Sequence, residues 1–227
     1  MEHTHKNIDL ELSELRTKLG QMGDLVIAQT EMALACLSAH DVRSTRVIIE
    51  QDLNVNRMDI DLEEMCLQFL ALHQPVAGDL RLITATMKIT AELERIGDRV
   101  VNICEAVHAR EERDPPTSHD DVWQMGTLAL AMVRDSLTAY SQADSSIAKL
   151  VFEKDKEFDA RYSEVFAKLT ASPKDLARVA HDTRLALLSR DLNEISEHAT
   201  NIAEVVMFML DGKELTHMDL HERRTNR

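Results

Sequence analysis

Apolar residues recur every three or four positions along almost the whole chain, and hardly anywhere in strict alternation. Leu12, Leu15, Leu19, Met22 and Val26 make one helical stripe, which predicts a first helix over about 9–40. Asp41 is a suitable N-cap for a second, over about 42–72, carried by Val55, Met58, Leu62, Met65, Phe69 and Leu72. Pro75 and Gly78 break the pattern. Ile89, Leu93, Ile96, Val100, Ile103 and Val107 then predict a third helix to about Arg110. The polar stretch Glu111–Ser118 holds Pro115-Pro116 and reads as a linker.

The same plan follows again. Val122, Met125, Ala129 and Met132 predict a helix over about 119–143, and Asp144 caps another over about 145–171. Pro173 suits a helix start, and the last helix, about 174–211, runs on Leu185, Leu188, Leu192, Ile195, Ala199, Ile202, Val206 and Met209. Gly212 is a stop signal. The four prolines all fall at these joints.

The halves also match residue by residue. Gln21-Met22-Gly23 recurs as Gln124-Met125-Gly126, 103 positions on, and at that offset Asp41 meets Asp144 and Asp52 meets Asp155. In the third helix of each half the offset is 99: Asn102-Ile103 falls on Asn201-Ile202, and Glu105 on Glu204. The chain therefore reads as all-α, two tandem three-helix bundles related by internal duplication. The units are 9–111 and 119–211, followed by a polar tail, 212–227.

Composition narrows the function classes. A formal net charge of −14 argues against nucleic acid and against an anionic bilayer, and leaves cations and basic protein surfaces as partners. Cys36, Cys66 and Cys104 lie far apart in apolar contexts and read as small core residues of a reducing compartment. No apolar signal region follows the polar N-terminus, and no stretch has the length of a membrane span, so the expected compartment is the cytoplasm.

The chemistry resides in carboxylates four apart. Glu94 and Asp98 project from one side of the third helix, off its apolar stripe, with Asn102 and Glu105 continuing the ridge. Asp52, Asn56, Asp59 and Glu63 line a flank of the second. If these helices pack antiparallel, the ridges face each other and repel unless a Lys, an Arg or a metal ion stands between them. Arg95 and Arg99 flank the pair and offer the salt-bridge alternative. Gly97 sits mid-helix at a cost of roughly 0.5–1 kcal/mol against alanine, a sign of close approach. The second half has Asp155 and Asp159, with Asn193 and Glu197 where the first has Glu94 and Asp98. His198 is adjacent, whereas His181 lies nearly five turns away. His40, His73 and His108 read as surface or helix-end residues.

The run Glu92-Leu-Glu-Arg-Ile-Gly-Asp-Arg-Val-Val-Asn-Ile-Cys-Glu105 resembles the signature helix of PhoU-type phosphate-transport regulators. Asp191-Leu-Asn-Glu-Ile-Ser-Glu-His-Ala-Thr-Asn-Ile-Ala-Glu204 is similar to a second copy, and Asp79-Leu-Arg-Leu-Ile to the approach that precedes the first. The resemblance spans about 10–211. It implies paired acidic motifs that bind divalent or trivalent metal ions (iron, zinc, manganese or magnesium) on the bundle surface. On this chain those map to Asp52, Asn56, Glu94 and Asp98, and to Asp155, Asp159 and Glu197; Asn193 and Glu197 depart from the family pattern. It also implies a cytoplasmic adaptor, often a homodimer. Such an adaptor links the ATPase subunit of a phosphate ABC transporter to a sensor histidine kinase and holds the phosphate regulon off. It is a negative regulator, not an enzyme.

Two other readings stand beside it. One is a helical metal-binding interaction module of another pathway. The other is a di-metal carboxylate enzyme, which needs inward Glu-x-x-His motifs. Glu105 and His108 have that spacing, but the counterpart of His108 is Met207.

Overall fold

Long runs of good helix formers, interrupted only at the inferred joints, give six helices and no strand among the described residues. A computed structural model describes residues 2–39, 41–108, 119–171 and 176–212. The helices are α1 (Glu2–Ala39), α2 (Val42–His73), α3 (Ala77–His108), α4 (His119–Gln142), α5 (Ser145–Thr170) and α6 (Leu176–Asp211). The expected linker, Pro173, His40 and the polar tail lie outside the described residues.

The predicted caps form. Asp41 accepts from the Arg43 and Ser44 amides at 3.0 and 3.2 Å, and Asp144 from the Ser146 amide at 2.7 Å. Bonds from the Ser44 and Ser146 hydroxyls help to hold both carboxyls below their ordinary pKa. Gly212 ends α6 at φ 66, its amide bonded to the Phe208 carbonyl at 2.9 Å. Two boundaries differ from expectation. α1 starts at Glu2, seven residues before Asp9, because nothing in that polar segment breaks a helix. Gly78 lies inside the first turn of α3.

The stripes turn inward as their spacing requires. Each residue named for the first, third and fourth helices is buried, and so is every one of the last except Met209 at its end. Leu72 is the exception on α2: it is 67% exposed, beside exposed Val76 and Leu80, because the stripe rotates outward at the hairpin tip. The three cysteines are buried and unpaired; burial raises the Cys66 and Cys104 thiols to about 11 and about 12.

Short joints make antiparallel neighbours. Glu11 at the start of α1 meets His73 at the end of α2, and Thr45 at the start of α2 bonds His108 at the end of α3. In the second unit Lys154 meets Asp135 and Lys168 meets Asp121. α5 has 26 residues against 32 in α2, so the shortening implied by the change of offset falls at its end.

The two units share one core, through α3 on α6 and α1 on α4. The α1–α4 contact is reciprocal. A Cβ on Gly23 would stand 2.8 Å from Leu137 Cδ1, and a Cβ on Gly126 would overlap Leu34 Cδ2. Each glycine receives the leucine that is the duplicate of its partner's. Between them Glu31 pairs with its own duplicate, Arg134.

Gly126→Val should overfill the Leu34 contact and destabilise the chain by about 2 kcal/mol in chemical denaturation. Gly20→Ala, whose new methyl meets nothing within 4 Å, should instead stabilise it by about 0.5–1 kcal/mol.

Candidate functional site

Antiparallel packing turns the polar flank of α2 toward that of α3. Asp52, Asn56 and Asp59, with Glu94 and Asp98 opposite, are all half-buried there. Asn56 Nδ2 donates to Asp52 Oδ2 at 3.2 Å. Asp52 also reaches the α3 backbone. A Cβ added to Gly97 would stand 3.0 Å from Asp52 Oδ1 and 3.4 Å from Val55 Cγ1. The mid-helix glycine is thus where the two ridges touch.

The carboxylates raise one another's proton affinity. Burial pushes Asp52 up and the Asp98 charge adds to it. Glu94 is raised by burial, then by Asp98, Asp59 and Asp52. Asp59 is raised by burial and by Glu63. The flanking arginines do not relieve this. Arg95 turns to Glu92 at 2.7 Å and Arg99 to Glu194 at 3.0 Å, and neither forms an ion pair with Glu94 or Asp98.

Asp52 Oδ1 and Asn56 Oδ1 are buried with no hydrogen-bond partner. A buried acceptor left so costs roughly 1–3 kcal/mol, and a cation is the group that would satisfy both oxygens while damping the repulsion. The donors are all oxygens, the choice of hard cations. No group of three or more His, Cys, Asp or Glu side chains among the described residues stands ready to hold a metal ion.

The second ridge is built differently. Asp155 is half-buried, while Asp159 and Glu197 are exposed. Thr200, where the first unit has Val101, donates to Asp155 Oδ1 at 3.3 Å. Asn193 Nδ2 donates to Glu197 Oε1 at 2.7 Å. Repelling carboxylates are replaced by amide and hydroxyl donors, so this ridge satisfies itself. Ser196, the duplicate of Gly97, bonds the Asn193 carbonyl of its own helix at 2.7 Å.

Part of the expected ridge belongs elsewhere. Asn102 faces α6 and donates to Asp191 Oδ1 at 3.4 Å, while its duplicate Asn201 donates to Glu92 Oε2 at 2.9 Å. His198 donates to Glu92 Oε2 at 2.7 Å, and Arg99 lies 3.7 Å from Asp191. Burial alone would raise Glu92, but the His198 and Asn201 bonds outweigh it and hold it below the usual range. Asp191 is raised by burial despite its bond from Asn102. The sequence held a signal for this junction: all these partners match at the 99-residue offset. Glu105 and His108 are exposed, not inward as a di-metal core requires, and buried Met207 replaces the second histidine. His73 and His108 do sit at helix ends.

The PhoU domain family model matches this chain twice, at residues 19–107 and 122–206. The chain is 33% identical, over 96% of its length and 86% of the relative, to the phosphate-specific transport system accessory protein PhoU homolog of Pseudomonas putida. Its fold matches the crystal structure of PhoU from Pseudomonas aeruginosa with a TM-score of 0.86 and 31% identity, covering 90% of this chain and 99% of that one. The phosphate transport system regulatory protein PhoU from Streptococcus pneumoniae gives 0.85 and 28%, covering 92% and 99%.

Because Asp52, Asp59 and Glu94 bind protons more tightly in the folded chain, they subtract stability as pH rises above the ordinary carboxylate pKa of about 4. In chelator, Asp52→Asn should raise Tm at pH 7 by on the order of 2 °C. It should also shrink the gain that the native chain shows on acidification to about pH 5. Glu92 works the opposite way, its contribution being lost as pH falls below about 4, so it does not mask the effect. A scanning calorimetry series across that range checks both.

Proposed function

The chain belongs to the PhoU family, and on that premise we propose that it is an accessory, regulatory component of phosphate transport. The doubled family match, one copy on each helical unit, is the observation that carries this reading. It acts as a negative regulator, an adaptor between the ATPase subunit of a phosphate ABC transporter and a sensor histidine kinase. It silences the phosphate regulon when phosphate is abundant. Regulation fits better than enzymatic turnover, since the Glu-x-x-His residues a di-metal enzyme needs point outward.

The cytoplasm is the compartment where both partners present their signalling faces. No helix among the described residues is long and apolar enough to cross a membrane, so membrane proximity comes through partners. A net charge of −14 favours basic docking surfaces. Exposed Leu53, Ile60 and Leu67, seven apart on α2, favour a homodimer.

A divalent or trivalent cation binds the first ridge, through Asp52, Asn56, Glu94 and Asp98. It supplies charge neutralisation that fixes α2 on α3 and holds the docking surface in one shape. The orphaned oxygens of Asp52 and Asn56 support this site over the self-satisfied second one. Iron, zinc, manganese and magnesium remain the candidate ions.

In phosphate-replete cells, deleting the gene should switch a phosphate-regulon reporter on, and a plasmid copy should silence it. A copy with Glu94→Ala and Asp98→Ala should leave it on. A reporter that stays off after deletion points to the alternative, an interaction module of another pathway. For the ion, manganese at about a hundred times its dissociation constant should add ~2.7 kcal/mol, a Tm rise of roughly 5–10 °C. Glu197→Ala should keep that rise and Asp52→Ala should lose it.

A further inference from the structure

A cleft of about 490 Å³ opens where the two units meet. α1 and α4 form its walls, and Leu82 of α3 and Met209 of α6 close its floor. It is remote in sequence and in the fold from the carboxylate ridges, which lie on α2–α3 and α5–α6.

The lining has a consistent chemistry. Arg16 enters from α1 and Arg134 from α4, one from each wall. Arg16 makes no ion pair with any of the described residues. Burial raises the Tyr140 hydroxyl, and the Arg16 guanidinium counters that rise, which places its charge on the inner end of the cleft. Arg134 is paired to Glu31 through Nη2, but a guanidinium carries five donors and that pair uses one group. The hydroxyls of Thr17 and Thr138 donate to carbonyls of their own helices at 2.8 and 2.7 Å. Their lone pairs therefore remain as acceptors, and Asp24 at the mouth is another. The apolar floor completes a site with a cationic end, acceptors along the sides and a surface for a ligand body.

We propose that this inter-unit cleft binds a small organic phosphate of about nucleoside-monophosphate size. Two guanidinium groups from opposite walls suit a dianion better than a single carboxylate, and each can bond a phosphoryl group in bidentate fashion. The ligand's hydroxyls meet the threonine and aspartate acceptors. The volume is more than inorganic phosphate fills. The site bridges α1 and α4, so occupancy ties one unit to the other. The inference is independent of the regulatory reading above.

Titration calorimetry on the full chain in chelator tests it, with AMP, ribose 5-phosphate, inorganic phosphate, adenosine and citrate as probes. Arg16→Gln removes the inner charge. Gly20→Leu fills the cleft, because Gly20 lines it and a Cβ there meets nothing within 4 Å; leucine is also a good helix former, so this variant folds. The expected result is that AMP or ribose 5-phosphate binds, at least ~10-fold more tightly than inorganic phosphate, adenosine or citrate. Each variant should weaken that binding by at least ~10-fold with the thermal transition of Gly20→Leu retained. Absence of heat from both organic phosphates, equal affinity in Gly20→Leu, or citrate binding as tightly would each overturn the proposal.

Discussion

The rest of the molecule depends on α3 and α6 being enclosed. α3 packs on α1, α2 and α6, and α6 packs on α3, α4 and α5. A helix covered on three sides has no solvated face for charge, so each polar residue must find its partner on a neighbouring helix. At the junction the duplicated sequence provides them crosswise: Asn201 for Glu92, Asn102 for Asp191, His198 and Arg99 for the same two acids. The pairs exist only while the helices lie antiparallel in one register, and this fixes how the halves meet.

The candidate cation site follows from that arrangement. Arg95 and Arg99 are the natural counter-charges of Glu94 and Asp98, and the junction draws both arginines toward its own acids. The ridge toward α2 keeps its negative charge, and Gly97 lets Asp52 come close enough to lose water on Oδ1. Duplication has also let the two copies diverge. Thr200 and Asn193 supply donors in the second unit that Val101 and Glu94 do not supply in the first. One ridge needs an external positive charge and the other does not.

Glycine and leucine settle the second contact between the halves. Gly23 and Gly126 let α1 and α4 approach at the points where Leu137 and Leu34 insert. Away from those points the helices diverge, and the cleft with Arg16 and Arg134 opens in the space left between them. Packing density at one level of the interface and a ligand-sized opening at another are two results of the same crossing.

Much of this was legible in the chain. Stripe spacing located six helices, Asp41 and Asp144 marked two caps, and the repeated offsets revealed the duplication, because local propensity and periodicity are properties of sequence alone. Gly97 even announced a close approach, since a mid-helix glycine is costly without one. The identity of what approaches was not legible. Whether Arg95 serves Glu94 or Glu92, whether Asn102 joins the ridge or the junction, and whether Leu72 is inside or out depend on which neighbour covers each face of the helix. A 3.6-residue period gives the faces but not their partners. The tertiary crossing of α3 on α6 and of α1 on α4 made that choice, because a charge on an enclosed helix goes to whichever donor or acceptor the packing brings within reach.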